Sequence, residues 1–474
     1  MKEKFKTILL FLLVGTSLAM TQQLWMQFPE RVTGFFKPET SYSSSYLLSD
    51  MIAPNKYLVG IGGNNYTMVY DANKYGIWDT SKESLAGLLR SDTIRIEESE
   101  TGYSPGQAVG MTVVFYFPES ISTYILAKAW NVNEPNEIVD TIPYVDRISI
   151  VKGSGDPFFV FSDEERDVLV YDSGVAVDEL QSDILDFEDS ADFDYYYSLS
   201  EIFPTDVGDI YVPYEIRHSL PVVYVSNDVA QMTSGEMGIL AERFLEREID
   251  YIRQIVESNG STIYIYNNKV LKFNMNGTVE YFHSLEDTIQ ERNLYLSLST
   301  AAEFISQKAY SAKGMYLAGI DEIEAEGSLG YSLTFRYRVR GIPVLLGNRE
   351  VQEYVQIEVF NNQVRSYRQL FRGEMDLDIA SLQDSRQIMS SFDVIDKNYL
   401  FLESEYLEHT GETREQLGDQ VVQRVLSSVE DITISYYDPG LKDQEERLIG
   451  VWIIRAHGSV YAFNAYSGML VYER

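Results

Sequence analysis

The chain begins with a run that leaves few folding options. Lys2, Lys4 and Lys6 stand ahead of Thr7–Pro29, 23 residues without a charged side chain. At about 1.5 Å per residue a helix of that length reaches about 35 Å, more than the ~30 Å hydrocarbon thickness of a bilayer. Backbone groups inside hydrocarbon must bond within their own segment, and that requirement selects a helix. The lysines place residues 1–6 in the cytoplasm as a short tail and everything after Pro29 outside. Trp25 falls at the outer interface, where an aromatic anchor belongs, and Pro29 stops the helix. The rival reading is a cleaved leader, with Ser17 and Ala19 as the small residues before a cut at Met20. Leu24, Trp25 and Met26 carry the apolar run past that cut, which favours a retained anchor over 7–29. Gly15 and Ala19 lie four apart and let a second helix approach closely, and Thr16 and Thr21 offer interhelical hydrogen bonds. An inert anchor is the plainer reading of so short a pattern.

An exported chain of 474 residues with no cysteine must be held by core packing alone. The same absence removes thiolate metal sites, cysteine nucleophiles and a lipidated cysteine after the leader. Acidic residues outnumber basic ones 72 to 38, giving a net charge of -34. That charge repels phosphate backbones and anionic headgroups, so nucleic acid is excluded as a partner and any membrane contact is hydrophobic and local.

The length calls for more than one globular unit. Residues 30–49 include a Ser- and Tyr-rich connector, "ETSYSSSYLLS". An N-terminal exported domain is expected over 50–204, with strands at "YLVGIGGNNYTMVYD" and "MTVVFYFPES" and a helix at "SKESLAGLLRSD" capped by Ser81 or Ser84. Within it, residues 156–201 hold 15 Asp or Glu against the single Arg166, and read as a solvated acidic helix and loop. A central domain over 205–295 opens with "MGILAERFLEREIDYIRQIVES". There Leu245, Ile249, Ile252 and Val256 share one helical face, and Gly260 ends the helix. Three strands with Asn-Asn and Asn-Gly turns follow. Helix then antiparallel meander recurs twice more over 296–474. The expected class is α+β: a single transmembrane helix followed by several exported mixed domains.

Chemistry-bearing motifs are sparse. His218, His283, His409 and His457 are far apart and form no HExxH pair. "GIGGNN" at 60–65 lacks the Gly-Lys-Ser/Thr of a phosphate loop and reads as a turn. Ser104 in "GYSPG" fits G-x-S-x-G, but a nucleophile elbow needs a strand before it and a helix after it. Here a charged segment precedes and a strand follows. Ser149 and Lys152 fit S-x-x-K, but "DRISIVKGSG" reads as a strand, which points residues three apart to opposite faces. "DFD" at 192–194 and "DLD" at 376–378 lack the spacing of a calcium loop. No catalytic, cofactor or metal residues are therefore assigned.

The Lys-rich start, the Thr21, Leu24 and Trp25 exit from the apolar run, and the strand-Gly-strand ending "LIGVWIIRAHGSVYAFNAYSGMLVYER" make the whole chain resemble the YycH family. Those are membrane-anchored regulatory proteins of the essential YycG/YycF (WalK/WalR) two-component system in low-GC Gram-positive bacteria. The resemblance implies several exported α+β domains and a non-enzymatic role in cell-wall homeostasis. It implies action on the sensor histidine kinase together with a YycI-like single-pass protein, partly through transmembrane helices. Under it Gly15, Thr16, Ala19 and Thr21 become a helix-packing face, and Lys2, Lys4, Lys6 and Trp25 its interfacial anchors. The alternative is an extracellular module that binds a wall polymer or lipid and signals to nothing.

Overall fold

The computed structural model describes residues 47–474, apart from 62–64, 71–75, 100–101, 108–109, 191–192, 204, 206, 208–209, 214, 217–219, 349, 376–385 and 441–444. The 7–29 segment, with Gly15, Thr16, Ala19, Thr21 and the four anchors, lies outside the described residues, as do His218, Asp192 and the "DLD" motif. Among the described residues no helix is long and apolar enough to cross a membrane.

Alternating Val, Ile, Phe and Tyr, broken by Gly, Asn and Pro, yields mixed α and antiparallel β structure. The first sheet has nine strands: β1 (Lys56–Gly60), β2 (Tyr66–Val69), β3 (Arg95–Glu98), β4 (Met111–Ser122), β5 (Tyr144–Lys152), β6 (Phe158–Ser162), β7 (Asp167–Tyr171), β8 (Tyr196–Ser198) and β9 (Tyr211–Pro213). Their order is β3-β7-β6-β5-β4-β1-β2-β8-β9. Tyr57, Phe115, Ile148, Ile150, Phe159 and Phe161 point from it into the core, under α1 (Ile77–Arg90), α2 (Thr123–Ala129) and α3 (Asp178–Ser190).

Two expectations in this region are corrected. Ser81 and Ser84 do not cap α1, which starts one turn earlier behind Gly76. Ser81 is buried and its hydroxyl donates back to the Ile77 carbonyl at 2.6 Å, while Ser84 donates to Ala176 O at 3.0 Å. The acidic stretch does contain the helix α3, yet it opens with β6 and β7. "FFVFS" buries Phe159 to Ser162 on both faces and "DVLVY" buries Val168 and Val170, while Asp163, Glu164 and Glu165 sit in the hairpin turn between them.

The larger sheet has 13 strands. After β10 (Tyr224–Asn227) and α4 (Ser234–Leu245) come β11 (Arg253–Val256), β12 (Thr262–Tyr266), β13 (Lys269–Phe273) and β14 (Thr278–His283). Next are α5 (Leu294–Lys308), β15 (Met315–Ala325), β16 (Ser328–Val339), β17 (Ile342–Leu346), β18 (Val355–Phe360) and β19 (Gln363–Leu370). After β20 (Arg372–Glu374), α6 (Ser391–Thr410) and α7 (Val421–Ser427) the chain ends with β21 (Val429–Asp438), β22 (Glu445–Arg447), β23 (Ile449–Ala456), β24 (Ser459–Asn464) and β25 (Leu470–Glu473). Among the described residues every ladder is antiparallel except β17 with β21, which pair parallel through Val344–Tyr436, Leu345–Tyr437 and Leu346–Asp438. A parallel pair needs a long crossover, and the chain from β18 through α7 supplies it. β20, β10 and β22 form a small third sheet.

The helical face expected from Leu245 to Val256 does not exist as one helix. α4 begins in a capping box, Thr233 with Glu236, and ends at Glu246 in the left-handed region, φ 56°. Lys308 and Lys269 grip the Glu246 carboxylate at 2.9 and 3.0 Å. Beyond it, "RQIV" is a sheet-edge strand that pairs with β12, and Val256 is 66% exposed. Four-and-three spacing in a β-branched segment imitated a helix; the cap residue ended it.

Candidate interaction surface

Strand register builds the most distinctive exposed surface. Along β12, β13, β14, β19 and β18 one set of side chains faces the core. Tyr264, Leu271, Tyr281, Tyr367 and Ile357 are all buried. Phe244 of α4 meets Tyr281 at 5.8 Å, and Phe304 of α5 meets Tyr367 at 5.2 Å between ring centroids. Because strand side chains alternate, the set between them faces outward. One row runs Ile263, Lys272, Glu280, Arg368, Gln356. The next runs Ile265, Val270, Phe282, Ser366, Glu358. Apart from Ile263 and Ile265, these residues line a hollow of about 370 Å³. Among the described residues no helix covers these rows.

The charges on this face are paired across strands. Lys272 meets Glu257 at 2.9 Å, Arg368 meets Glu280 at 3.5 Å, and Arg365 meets Glu358 at 2.6 Å. Arg365 also lies over Phe282, 5.1 Å from the ring centroid. At the rim, burial and then the Lys269 charge hold His283 below the ordinary imidazole range, against the pull of Glu286 and Glu246. A flat array of paired ions around Ile263, Ile265, Val270 and Phe282 suits recognition of another surface. Among the described residues no group of three His, Asp or Glu is placed to hold a metal ion. "KVLKF", "TVEYFH" and "QVRSYRQL" read as strands, but mix polar and apolar residues on both faces, so register is needed to line up the exposed rows.

A second cluster is buried. Arg372 donates to both oxygens of Asp438, at 2.6 and 2.8 Å, and to Glu446. Tyr354 OH adds a hydrogen bond to Asp438 at 2.9 Å. Burial opposes the Arg372 charge, yet the hydrogen bonds and charge of Asp438, with Glu446, outweigh it and raise its pKa further. The cluster ties β20 and β22 to the end of β21. Sequence gave no sign of it, since the three charges are spread over 75 residues.

The two serines weighed from sequence share one face of the nine-stranded sheet. Ser149 lies between Val114 and Val160 on β5, fully buried, its hydroxyl without a partner among the described residues. Lys152, three residues on, has the strand parity of Ile148 and Ile150, on the other face. Ser104 sits in a loop leading through a turn of 3₁₀ helix to β4. That loop is fastened by Tyr66 OH to Pro105 O at 2.7 Å and by Tyr103 N to Asp167 at 2.6 Å. Among the described residues neither serine has a base in nucleophile geometry. The structure does bring two distant histidines together, His409 and His457, stacked at 4.6 Å.

No family model and no curated protein matches the sequence. Among solved structures, the chain is similar to the crystal structure of YycH from Bacillus subtilis. The identity is 11%, the TM-score 0.50, and the match covers 88% of this chain and 97% of that chain. An uncharacterized protein from Eubacterium rectale ATCC 33656 matches at 11% identity and TM-score 0.36, covering 59% of this chain and 93% of that one. The C-terminal domain of Bacillus megaterium YpeB matches at 12% and 0.25, over 54% and 98%. The likeness to YycH is one of fold, and it extends over nearly the whole of both chains.

Proposed function

We propose that the chain is a non-enzymatic, membrane-anchored regulator of a sensor histidine kinase (YycG/WalK-like) in cell-wall homeostasis, acting with a YycI-like single-pass partner. The observation that carries the reading is the YycH fold over 88% of this chain. Fold alone does not fix function. The lysine-led uncharged run over 7–29 joins it, because a regulator of this kind must sit beside its kinase. The division into exported domains at 50–204, 205–295 and 296–474 belongs to the same proposal.

The mechanism follows from linkage. A helix that packs equally well against both states of a kinase shifts nothing; it must prefer one. Gly15 and Ala19 supply the close-approach face, and Thr16 and Thr21 the polar contacts. The outward face over Lys272, Glu280, Phe282 and Arg368 supplies an exported contact surface, its ion pairs setting the register of a partner more than its affinity. Replacing residues 7–29 by a plain polyleucine span, with Lys2, Lys4 and Lys6 kept, tests the reading. Regulation of kinase-dependent transcription is expected to fail while the protein still fractionates with the membrane. Full regulation from the polyleucine span would overturn the intramembrane mechanism.

A further inference from the structure

His409 and His457 lie 48 residues apart on separate elements. His409 is exposed in the last turn of α6, just before the cap residue Gly411 at φ 71°. His457 opens the two-residue turn between β23 and β24, in the left-handed region at φ 55°, followed by Gly458 at φ 72°. The two rings stack at 4.6 Å with planes 24° apart, and Tyr406 leans on His457 at 5.4 Å. Nε2 of His457 is shielded from solvent and has no hydrogen-bond partner among the described residues. Such a contact tolerates neutral imidazoles and one proton; a second proton places two like charges in contact.

From the start of β21, Glu430 accepts the Gly458 N–H at 2.9 Å, beside His457. From α6 itself, Tyr406 OH donates to Glu412 at 2.8 Å, with the Arg424 charge of α7 nearby. Further up the helix, Glu403 pairs with Arg414 at 3.3 Å and Glu405 accepts from Tyr461 of β24 at 3.1 Å. Burial first, and then His409, hold the His457 pKa below its ordinary 6.5, with Glu430 opposing. The sign is therefore fixed. The closed contact is fully stabilised above pH 6.5 and weakens as pH falls through the lower value of the folded state. Upstream, Phe401 is anchored on Tyr461 and Phe463, at 5.3 and 6.2 Å, so release stops short of that point.

We propose that His409 and His457 form a proton-operated clasp joining the end of α6 to the β23–β24 turn, closed when neutral and opened by acidification of the exported face. Opening frees the last turn of α6 and the following Arg414–Leu417 segment.

Hydrogen exchange of the full chain in detergent, at about pH 7.5 and about pH 5 and corrected for intrinsic rates, tests it. Peptides over 403–417 and 455–461 are expected to lose protection severalfold at the lower pH, while peptides over 262–283 stay unchanged and report that the fold is intact. His409→Gln, at an exposed position, and His457→Asn, which tolerates the left-handed backbone, should each abolish the difference. Equal protection at both pH values in the unaltered chain would overturn the clasp. So would a pH response that survives in the double variant.

Discussion

At the residue scale, the most enclosed ion pair among the described residues joins Arg372 to Asp438. Arg372 and Asp438 are almost fully enclosed, and each is the other's main partner. Removing one member of such a pair strands the rest, at a cost of about 3–5 kcal/mol. Arg372→Met should therefore destabilise strongly, read as a lower urea midpoint at unchanged slope. A shift no larger than that of a surface substitution would refute the role. Ser149 gives the opposite expectation. Its hydroxyl is buried between Val114 and Val160 without a partner, so Ser149→Ala should be neutral or stabilising by up to about 1 kcal/mol. A labelled penicillin should leave the unaltered protein unmodified, since Lys152 faces away. The S-x-x-K spacing was visible in the letters; only strand parity, also visible, decided against it.

At the element scale, the sheets show why some segments were legible and others were not. "TIYIYNNKVLKFNMNGTVEYFHS" announces β12–β14 because Asn-Asn and Asn-Gly fit the backbone such turns require, and Asn267 indeed takes φ 50°. The Leu245–Val256 helix failed because its end depends on Glu246 and two distant lysines, Lys269 and Lys308. β6 and β7 were hidden because a net-acidic window masks short apolar strands. Close packing inside the sheets gives a further test. A Cβ at Gly330 on β16 would lie 2.6 Å from Phe360 Cδ1 and 2.7 Å from Val359 O. Gly330→Ala should cost about 1–3 kcal/mol through forced displacement of β18. Unchanged thermal stability would mean the strands are spaced more loosely than they are here.

At the scale of the whole described chain, most buried apolar side chains form one large cluster from Met51 to Ala465, with a second, small one of Leu58, Tyr66, Val114, Tyr196 and Tyr211. Polar contacts also join the first and last thirds. Lys56 donates to Asp431 at 2.6 Å, and Arg338 donates to Pro54 O at 2.8 Å. Burial opposes the Asp431 charge, but Lys56 and the Thr433 hydroxyl overcome it and hold the carboxyl below its ordinary 3.8. A depressed carboxylate stabilises the fold above the ordinary value and loses that contribution as pH falls through the folded one. Thermal scans from about pH 6 to about pH 3 should show Lys56→Met lowering stability most at the upper end, with the two curves converging in acid. Parallel curves would deny the pair its role. None of these long-range contacts could be read from the letters, because each joins residues more than 200 positions apart.

The central claim, regulation of a kinase through a retained anchor, is tested most directly by photo-crosslinking in living cells. The crosslinker is placed at Gly15 and, separately, at Leu13, two residues apart and so on well-separated faces of a helix. The account predicts an intact N-terminus and capture of a sensor histidine kinase or a second single-pass protein from Gly15 well above Leu13. A mature protein lacking residues 1–19, or an intact anchor that captures no protein from either position, would contradict it.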